Sequence, residues 1–342
     1  MNTKNKKLKI AIAGLGFGKK VHLEALKESD HLTPVAIYHY EKKQKSILEK
    51  ETGLDFFHNW EDLVKSPKID GIIIANPPES RFKLAKQALE NNKNLLLEKP
   101  VSISSSEIEE LQRISLINNL SVCVDFEYRA VPLFLQTKKL IDENILGDIY
   151  LVKLDWLMGS RSDPKRSWNW YSLEEKGGGV IGSLGTPAFD MLNWFFGEAI
   201  NVTGKLATSI KKRPLPNSSD LNDVTSEDVC LANIEISNYS SNLIPCQVSL
   251  SSISKNGRGF SLEIYGSEGS LILKSEKQKD YVHGFNLKYS NNENKIQNLT
   301  ADSCFNFEKT WTDGRIAPVL SIQNLWAQSI INRTPIIQGL CE

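Results

Sequence analysis

A lysine that directly follows an apolar run is the residue of this chain best suited to move a proton. The leucines at positions 95–97 read as a buried strand, and Glu98, Lys99 and Pro100 come next. In an open parallel sheet, ligands collect at the carboxyl ends of the strands. Pro100 has no amide hydrogen and restricts the residue before it, so the chain must turn here. We therefore expect the Lys99 ammonium to point at whatever the sheet binds, although a solvated surface lysine would also fit this tripeptide.

A glycine-rich turn near the start of the chain has the residue types that bind a pyrophosphate. The apolar segment 8–13 precedes it, and a helical pattern follows it. Gly14 permits a tight turn, Gly16 lets the backbone approach a ligand, and the free amides of a helix N-terminus attract anions. The usual third glycine position holds Lys19, and Gly18 comes one residue early. A glycine turn that serves folding alone is the alternative. The candidate cofactor contacts are Gly14, Gly16, Phe17, Gly18 and Lys19.

The end of the second predicted strand, 34–38, bears on which dinucleotide would bind. An Asp or Glu about twenty residues past the glycines would hold the ribose 2′-hydroxyl of NAD, but His39 stands there. His39, with Lys42 and Lys43 just beyond it, could instead meet a 2′-phosphate. We therefore expect NADP, and NAD stays open because Glu41 lies in the same loop.

Short apolar strands alternate with helical patterns from the start of the chain to residue 124. Strands are predicted at 71–75, 95–97 and 122–124, with helices between them. This alternation is typical of a doubly wound parallel sheet in an α/β fold. The turn after residue 75 and the helix behind it add three candidate cofactor contacts, Asn76, Pro77 and Arg81.

The second half of the chain has successive strands without helices between them. They are predicted at 149–156, 229–236 and 246–252 and in a hairpin of 261–265 with 270–273. Such runs pair antiparallel, so we expect a large, open, mostly antiparallel sheet. The polar, proline-containing segment 211–228 reads as a mobile excursion.

The loop 159–176 concentrates cations and aromatic rings, including Arg161, Trp168, Trp170 and Tyr171. Such loops line ligand sites, because indole and phenol rings stack on sugars or nicotinamide while cations fix phosphates or hydroxyls. A packed crossover with buried tryptophans is the alternative, and both interpretations stay open.

The composition excludes several classes of function. Lys plus Arg and Asp plus Glu both total 41, so the net charge is zero and no global field attracts nucleic acid or an anionic membrane. The five cysteines are scattered without metal-type spacing, so we expect reduced thiols, no metal site and a cytoplasmic protein. The lysine-rich start precedes an apolar run that is too short and glycine-broken for a secretory signal. A chain of 342 residues suits two domains.

Together these residues resemble the Gfo/Idh/MocA oxidoreductases over nearly the whole chain. The motifs that carry the resemblance are the glycine turn with His22, residues 75–78, 98–100, 126–129 with Pro132, 177–179, 265–271 and 332–335. The resemblance implies a Rossmann domain, assigned to residues 1–125, and a C-terminal α+β domain, assigned to 126–342, whose open sheet commonly serves as an oligomer interface. It also implies a nicotinamide cofactor, a sugar, polyol or related alcohol as substrate, and a homodimer or homotetramer.

In this family the lysine of the Glu-Lys-Pro motif, here Lys99, lies near the nicotinamide and the reacting carbon. It can hold or accept the proton of the substrate hydroxyl if burial or neighbouring charge lowers its pKa toward neutrality. The resemblance places Glu98 beside the nicotinamide, and it adds Glu127 and Trp170 to the candidate cofactor contacts.

The family's catalytic pair is missing from this chain. After the three glycines the family usually has an Asp and, four residues later, a His, whereas this chain has Ser183 and Pro187. A proline side chain cannot transfer a proton or donate a hydrogen bond. Asp190 is kept, one helical turn farther along, and Arg81 stands where many relatives carry histidine.

Three functions are therefore open. The first is an NAD(P)-dependent oxidoreductase in which Lys99 handles the proton, and Ser183, Tyr171 or bound water cover the missing pair. The second is a dinucleotide-binding protein without turnover, acting as a sensor or partner subunit, which Pro187 motivates. The third is a glycoside-cleaving relative that uses a bound cofactor for transient oxidation.

Overall fold

The computed structural model of the chain describes residues 7–237, 243–278, 280–293, 295–336 and 339–340. The lysine-rich start up to residue 6, and Cys341 among the predicted thiols, lie outside them. The chain divides into two compact units, Met1–Glu127 with Trp311–Glu342, and Tyr128–Thr310. Within the described ranges, no helix is long and apolar enough to cross a membrane.

The first unit is built on a six-stranded parallel sheet of order β3-β2-β1-β4-β5-β6, which confirms the predicted doubly wound fold. The strands are β1 (Leu8–Ala13), β2 (Leu32–Tyr38), β3 (Asp55–Phe57), β4 (Gly71–Ile74), β5 (Asn94–Leu97) and β6 (Val122–Val124). The helices are α1 (Leu23–Glu28), α2 (Lys45–Thr52), α3 (Trp60–Lys65), α4 (Pro78–Glu90) and α5 (Ser105–Ile117). The apolar runs of β1, β4 and β5 are fully buried, because helices cover both faces of such a sheet.

One local prediction in this unit differs from the structure. Strand β2 begins at Leu32, before the predicted start at Pro34; a register shift between Ile10 and Ala11 of β1 lies beside this proline, which has no amide hydrogen for the ladder.

The second unit is built on an eight-stranded sheet of order β16-β15-β14-β13-β7-β12-β11-β8. In chain order its elements are α6 (Pro132–Asp142), β7 (Ile149–Leu157), α7 (Thr186–Phe196), β8 (Glu198–Ala207), β9 (Lys212–Pro214), β10 (Leu221–Asp223), β11 (Val229–Ser237), β12 (Leu243–Ser251), β13 (Gly259–Gly266), β14 (Gly269–Ser275), β15 (Asn286–Asn291) and β16 (Ile296–Leu299). The pair β7 and β12 is parallel and the other neighbours are antiparallel, so the prediction of a mostly antiparallel sheet is confirmed.

The core of the second unit lies between this sheet and helices α6 and α7. Trp156 of β7, Phe134 of α6 and Phe195 of α7 belong to one buried cluster. The segment 211–228, predicted as a mobile excursion, instead contains the paired strands β9 and β10. Strands β8, β15 and β16 were not predicted from the sequence.

The last helix, α8 (Ile316–Asn332), belongs to the first unit, so the predicted boundaries at 125 and 342 differ from the division in the structure. Trp326 is fully buried there, and a Cβ at Gly71 would lie 2.9 Å from its ring. The apolar residues of α8 recur at helical spacing, but this local pattern does not determine which sheet the helix covers.

Candidate active site

The glycine turn after β1 has room for a pyrophosphate. Gly14 has a φ of +117°, and a Cβ there would lie 2.7 Å from the backbone of Ala75. A Cβ at Gly16 would meet no atom within 4 Å. Gly18 packs against Ala75 and Ile12, each 3.2 Å from its Cβ position, and therefore performs the helix–strand packing usual for the third glycine. The turn thus fits a dinucleotide despite the displaced glycine.

Two other predicted contacts of this turn interact with protein groups. Phe17 packs edge-on against His22, with ring centroids 5.4 Å apart, and the Arg315 guanidinium lies 5.3 Å from its centroid. Lys19 pairs with Glu51 of α2. A cofactor role for these two side chains stays a prediction.

His39 directly follows β2, as the sequence predicts. Its Nδ1 accepts a hydrogen bond from the Glu41 amide at 3.2 Å, and its ring stacks on Tyr40 with centroids 4.6 Å apart. Lys43 lies 3.2 Å from Glu41 in an exposed ion pair. His39 rather than an acid therefore stands at the end of β2. The Glu41 carboxylate neutralises part of the positive charge of Lys43 beyond it.

Arg81 holds two loops of the first unit together. Its buried guanidinium donates hydrogen bonds to the backbone oxygens of Asn76, Glu98 (2.6 Å) and Pro100. Burial lowers the pKa of Arg81 to about 10, which still leaves it charged at neutral pH. The residue predicted to contact cofactor is thus committed to fixing the loop after β4 and the loop after β5. Pro77 ends the first of these loops, directly before α4.

The side-chain oxygen of Asn76 supports the fit of a cofactor in another way. This Oδ1 is buried and has no hydrogen-bond partner. Buried polar atoms usually have one, so an acceptor beside the glycine turn suits a ribose hydroxyl.

Lys99 lies among buried carboxylates. Its side chain is 20% exposed, and its Nζ is 3.9 Å from Oε1 of Glu127. Burial pulls the pKa of Lys99 down, but the charges of Glu127, Glu98 and Asp125 outweigh this and raise it above that of an ordinary lysine. The lowered pKa that would let Lys99 accept a proton near neutral pH is therefore not found, because the neighbouring charges are negative.

A buried histidine connects two of these acids. The Gln323 amide donates to the backbone oxygen of His22 at 3.1 Å and faces Nδ1 at 3.2 Å. Nδ1 is therefore an acceptor, and Nε2 carries the proton toward Glu98 Oε1 at 2.9 Å and Asp125 Oδ2 at 3.4 Å. These three side chains cluster closely enough to hold a metal ion, but a protonated Nε2 offers a cation no lone pair.

The pKa values of Asp125 and Glu98 are shifted in opposite directions. Asp125 is fully buried, and its carboxylate oxygens have no hydrogen-bond partner. Burial and the charges of Glu98 and Glu127 raise the pKa of Asp125 well above its usual range. Burial also opposes ionisation of Glu98, but the hydrogen bond from His22 and nearby cations lower its pKa overall. Burial raises the pKa of Glu127 more than Lys99 lowers it. The surroundings therefore favour the protonated form of Asp125 and the charged form of Lys99.

The second unit brings Tyr171 and Ser183 together. Ser183 Oγ donates to the Gly179 backbone oxygen at 2.9 Å, so the Tyr171 hydroxyl, 2.9 Å from Oγ, is the donor of their shared bond. Arg161 stacks on the Tyr171 ring, with Cζ 3.2 Å from the centroid. Trp170 packs edge-on against Tyr171 at 6.0 Å. The predicted aromatic loop thus contacts Ser183 through Tyr171.

Neither Pro187 nor Asp190 is available in α7 to accept a proton from a substrate. Pro187 is buried at the start of α7. The Asp190 carboxylate accepts two hydrogen bonds from Arg129, at 3.0 and 2.6 Å, and this buried bidentate pair is structural.

Sequence reasoning missed Asp125 and the partner of His22. Asp125 is the first residue after β6, and Lys99 is the second residue after β5. The reasoning that places Lys99 at the carboxyl end of its strand therefore applies to Asp125 as well. Gln323 gave no signal, because it lies about 300 residues away in the chain and polar helix residues are common.

Models of two domains of one oxidoreductase family match the chain. The first, an NAD-binding Rossmann fold, covers residues 8–126, and the second, a C-terminal alpha/beta domain, covers residues 138–340. The chain belongs to the Gfo/Idh/MocA oxidoreductase family. An uncharacterized oxidoreductase of Synechocystis is 39% identical over 336 residues, which are 97% of this chain and 90% of that protein.

More distant members of the Gfo/Idh/MocA family carry names of sugar dehydrogenases. Glucose-6-phosphate 3-dehydrogenase of Bacillus subtilis is 28% identical over 210 residues, which are 60% of this chain and 59% of that enzyme. Levoglucosan dehydrogenase, solved with NADH and L-sorbose, has a TM-score of 0.85 at 19% identity and covers 98% of this chain and 92% of its own. At that identity the likeness shows the fold.

Proposed function

We propose that this protein is an NAD(P)-dependent oxidoreductase of a sugar, polyol or related cyclic alcohol. The observation that carries the proposal is the partly exposed amine of Lys99 at the carboxyl end of β5, in a unit whose glycine turn has room for a pyrophosphate. The sugar dehydrogenases among its relatives support the substrate class.

Lys99 handles the proton in this proposal. A bound nicotinamide supplies hydride transfer, and Gly14, Gly16 and Asn76 would hold the dinucleotide. The charged Lys99 donates a hydrogen bond to the substrate oxygen and gives up its proton when a carbonyl is reduced; for oxidation it must first lose that proton. Glu127 and Glu98 keep it charged. Tyr171 and Ser183 offer hydroxyl groups in place of the family's Asp and His.

The proposal is tested by cofactor binding and turnover. Reduced-nicotinamide fluorescence should show binding, with NADP preferred because His39 replaces the usual acid. Lys99→Ala should lower turnover of sugars or inositols by about 10²–10⁴-fold, while Lys86→Ala, which removes an exposed partner of Glu110, should not. Failure of both nicotinamides to bind would refute the proposal, and a tenfold preference for NAD would overturn the choice of NADP.

A catalytically degenerate dinucleotide-binding protein is the second candidate. The observation that favours it is the commitment of Asp190 to Arg129, which leaves Pro187 without a substitute in its helix. Cofactor binding without turnover of any polyol would support it. Activity gained in the double variant Ser183→Asp with Pro187→His would locate the defect in that pair.

We also propose that copies of the chain associate through the large sheet. Its edge strand β8 exposes Ile200, Val202 and Leu206, each more than half accessible. Exposed apolar side chains on a strand at the edge of a sheet favour aggregation. Association with a second copy of the chain would cover them.

A further inference from the structure

The loop at 159–166 and strand β9 bring three arginines together in the second unit. Arg213 of β9 is buried, at 4% exposure, and donates to the backbone oxygens of Arg161 at 2.7 Å and Asp163 at 2.8 Å. Arg166 donates to the backbone oxygen of Ser160 at 2.7 Å. We call Arg161, Arg166 and Arg213 the arginine cluster. Bonds to backbone carbonyls tie Arg166 and Arg213 to the loop that carries Arg161.

The positive charge of the arginine cluster is not neutralised by a contacting acid. Throughout the described part of the chain, no carboxylate lies within 4.0 Å of these three guanidinium groups. The nearby Asp228 accepts bonds from the Ser209 and Ile210 amides at 2.9 Å, and Asp163 accepts one from the Lys165 amide at 2.8 Å.

The three guanidinium groups also repel one another. Burial, with Arg166 and Arg213 nearby, lowers the pKa of Arg161 to about 10, although Tyr171 opposes the shift. The charges of Asp228 and Asp163 oppose this effect at Arg213, but its pKa is still lowered. Cations gathered in one place are costly, and an anion that joins them lowers this cost.

Arg161 is the member of the cluster that can take a ligand. It is partly exposed, and the described residues give its guanidinium no backbone carbonyl or carboxylate as acceptor. It stacks 3.2 Å above the ring of Tyr171, whose hydroxyl bonds Ser183 at the family's acid position. Stacking fixes the plane of the guanidinium, and a fixed planar fork matches a carboxylate or a phosphate.

We propose that Arg161, supported by Arg166, binds a carboxylate or phosphate group of the substrate, which makes that substrate a sugar acid or a sugar phosphate. Arg213 is a positioning residue, because its own donors hold the loop that carries Arg161. The inference rests on the proposed function and adds the charge of the substrate to it.

The test compares sugars that differ only at one carbon. Glucose, galactose and mannose, each as the neutral sugar, the 6-phosphate and the uronate, are titrated into the full chain with NADP present, by calorimetry. At least one anionic form should bind ten or more times more tightly than its neutral parent, and sodium chloride should weaken that preference. The form that binds more tightly distinguishes a phosphate from a carboxylate.

Variants assign the preference to Arg161. Arg161→Gln should reduce it at least tenfold, Arg161→Lys should keep part of it because the charge remains, and Lys165→Gln, in an exposed position of the same loop, should leave it unchanged. Thermal melting by circular dichroism checks that each variant is folded. An unchanged preference in Arg161→Gln, or no anion preference in the unmodified protein, would overturn the proposal.

Nicotinamide binding distinguishes a failure of the anion site at Arg161 from a failure of the proposed oxidoreductase function. Reduced-nicotinamide fluorescence is measured on the same samples. Normal nicotinamide binding without any anion preference refutes the role of Arg161 alone. An anion preference without nicotinamide binding refutes the oxidoreductase and supports the anion site.

Discussion

Replacing Glu127 by glutamine should release Lys99 from the charge that holds it protonated. Oε1 of Glu127 lies 3.9 Å from Lys99 Nζ, and two unit charges about 4 Å apart attract by about 4 kcal/mol at an effective dielectric constant of about 20. Solvent screens part of this attraction, because the Lys99 side chain is 20% exposed. We count about a third of it, about 1.4 kcal/mol, which changes the acid dissociation constant of Lys99 by a factor of about ten. The neutral fraction of Lys99, and with it alcohol oxidation at neutral pH, should rise about tenfold.

The assay is the pH profile of kcat/KM for oxidation of an alcohol that the protein turns over. The limb that reports deprotonation of Lys99 should move to lower pH in Glu127→Gln. Glu61→Gln is the matched control, because Glu61 is an exposed acid of the same unit that pairs with Lys65. A second readout needs no turnover: trinitrobenzenesulfonate reacts with neutral amines, so mass spectrometry should find Lys99 labelled faster in Glu127→Gln.

Either of two results would refute this reasoning. One is a profile and a labelling rate that coincide with those of the unmodified protein, which would mean that the Glu127 charge does not act on Lys99. The other is a shift to higher pH, which would mean that lost hydrogen bonding or altered burial outweighs the lost charge.

Three further predictions follow from the geometry. Arg81→Met should lower the free energy of unfolding by about 3 kcal/mol in urea titrations, because it leaves buried backbone oxygens without a charged donor; no change in the urea midpoint would contradict this role. The raised pKa of Asp125 stabilises the fold below the pKa of this carboxyl in the unfolded chain, and that stability is lost as the pH rises through its folded pKa. The melting temperature of Asp125→Asn relative to the unmodified protein should therefore increase as the pH rises toward neutrality. An equal difference in melting temperature at all pH values would contradict this. Val202→Lys on β8 should reduce the mass measured by light scattering to that of a smaller assembly, whereas an unchanged mass would exclude this edge from the interface.

The alternation of strands and helices predicted the first unit well, because its strands are buried on both faces and read as unbroken apolar runs. The second unit was harder. Strand β8 was missed although Ile200, Val202 and Leu206 alternate with polar residues. It is exposed along almost its whole length, so this alternation does not mark a buried face. The placement of α8 depends on tertiary contacts such as Trp326 against Gly71, which no local pattern encodes.

The sequence predicts candidate residues of a site but not their electrostatics. Lys99, Ser183 and Tyr171 stay predictions as catalytic residues, and the bond between Tyr171 and Ser183 brings two of them together. The direction of the Lys99 pKa was not predictable, because it depends on how near the side chains that follow β5 and β6 come to one another. Sequence spacing shows that they share a sheet edge, whereas the balance of burial against charge requires the distances.

The acids around Lys99 bear on the direction of the proposed reaction. Oxidation of an alcohol needs a group that accepts a proton, and a proline at position 187 cannot accept one. The neighbours of Lys99 favour its charged form, and a charged lysine is ready to give a proton to the oxygen of a carbonyl while hydride adds to its carbon. In the proposed function both features disfavour oxidation at neutral pH and leave reduction possible. The pH profile of Glu127→Gln tests the same idea, since freeing Lys99 from its charged partners should shift the balance back toward oxidation.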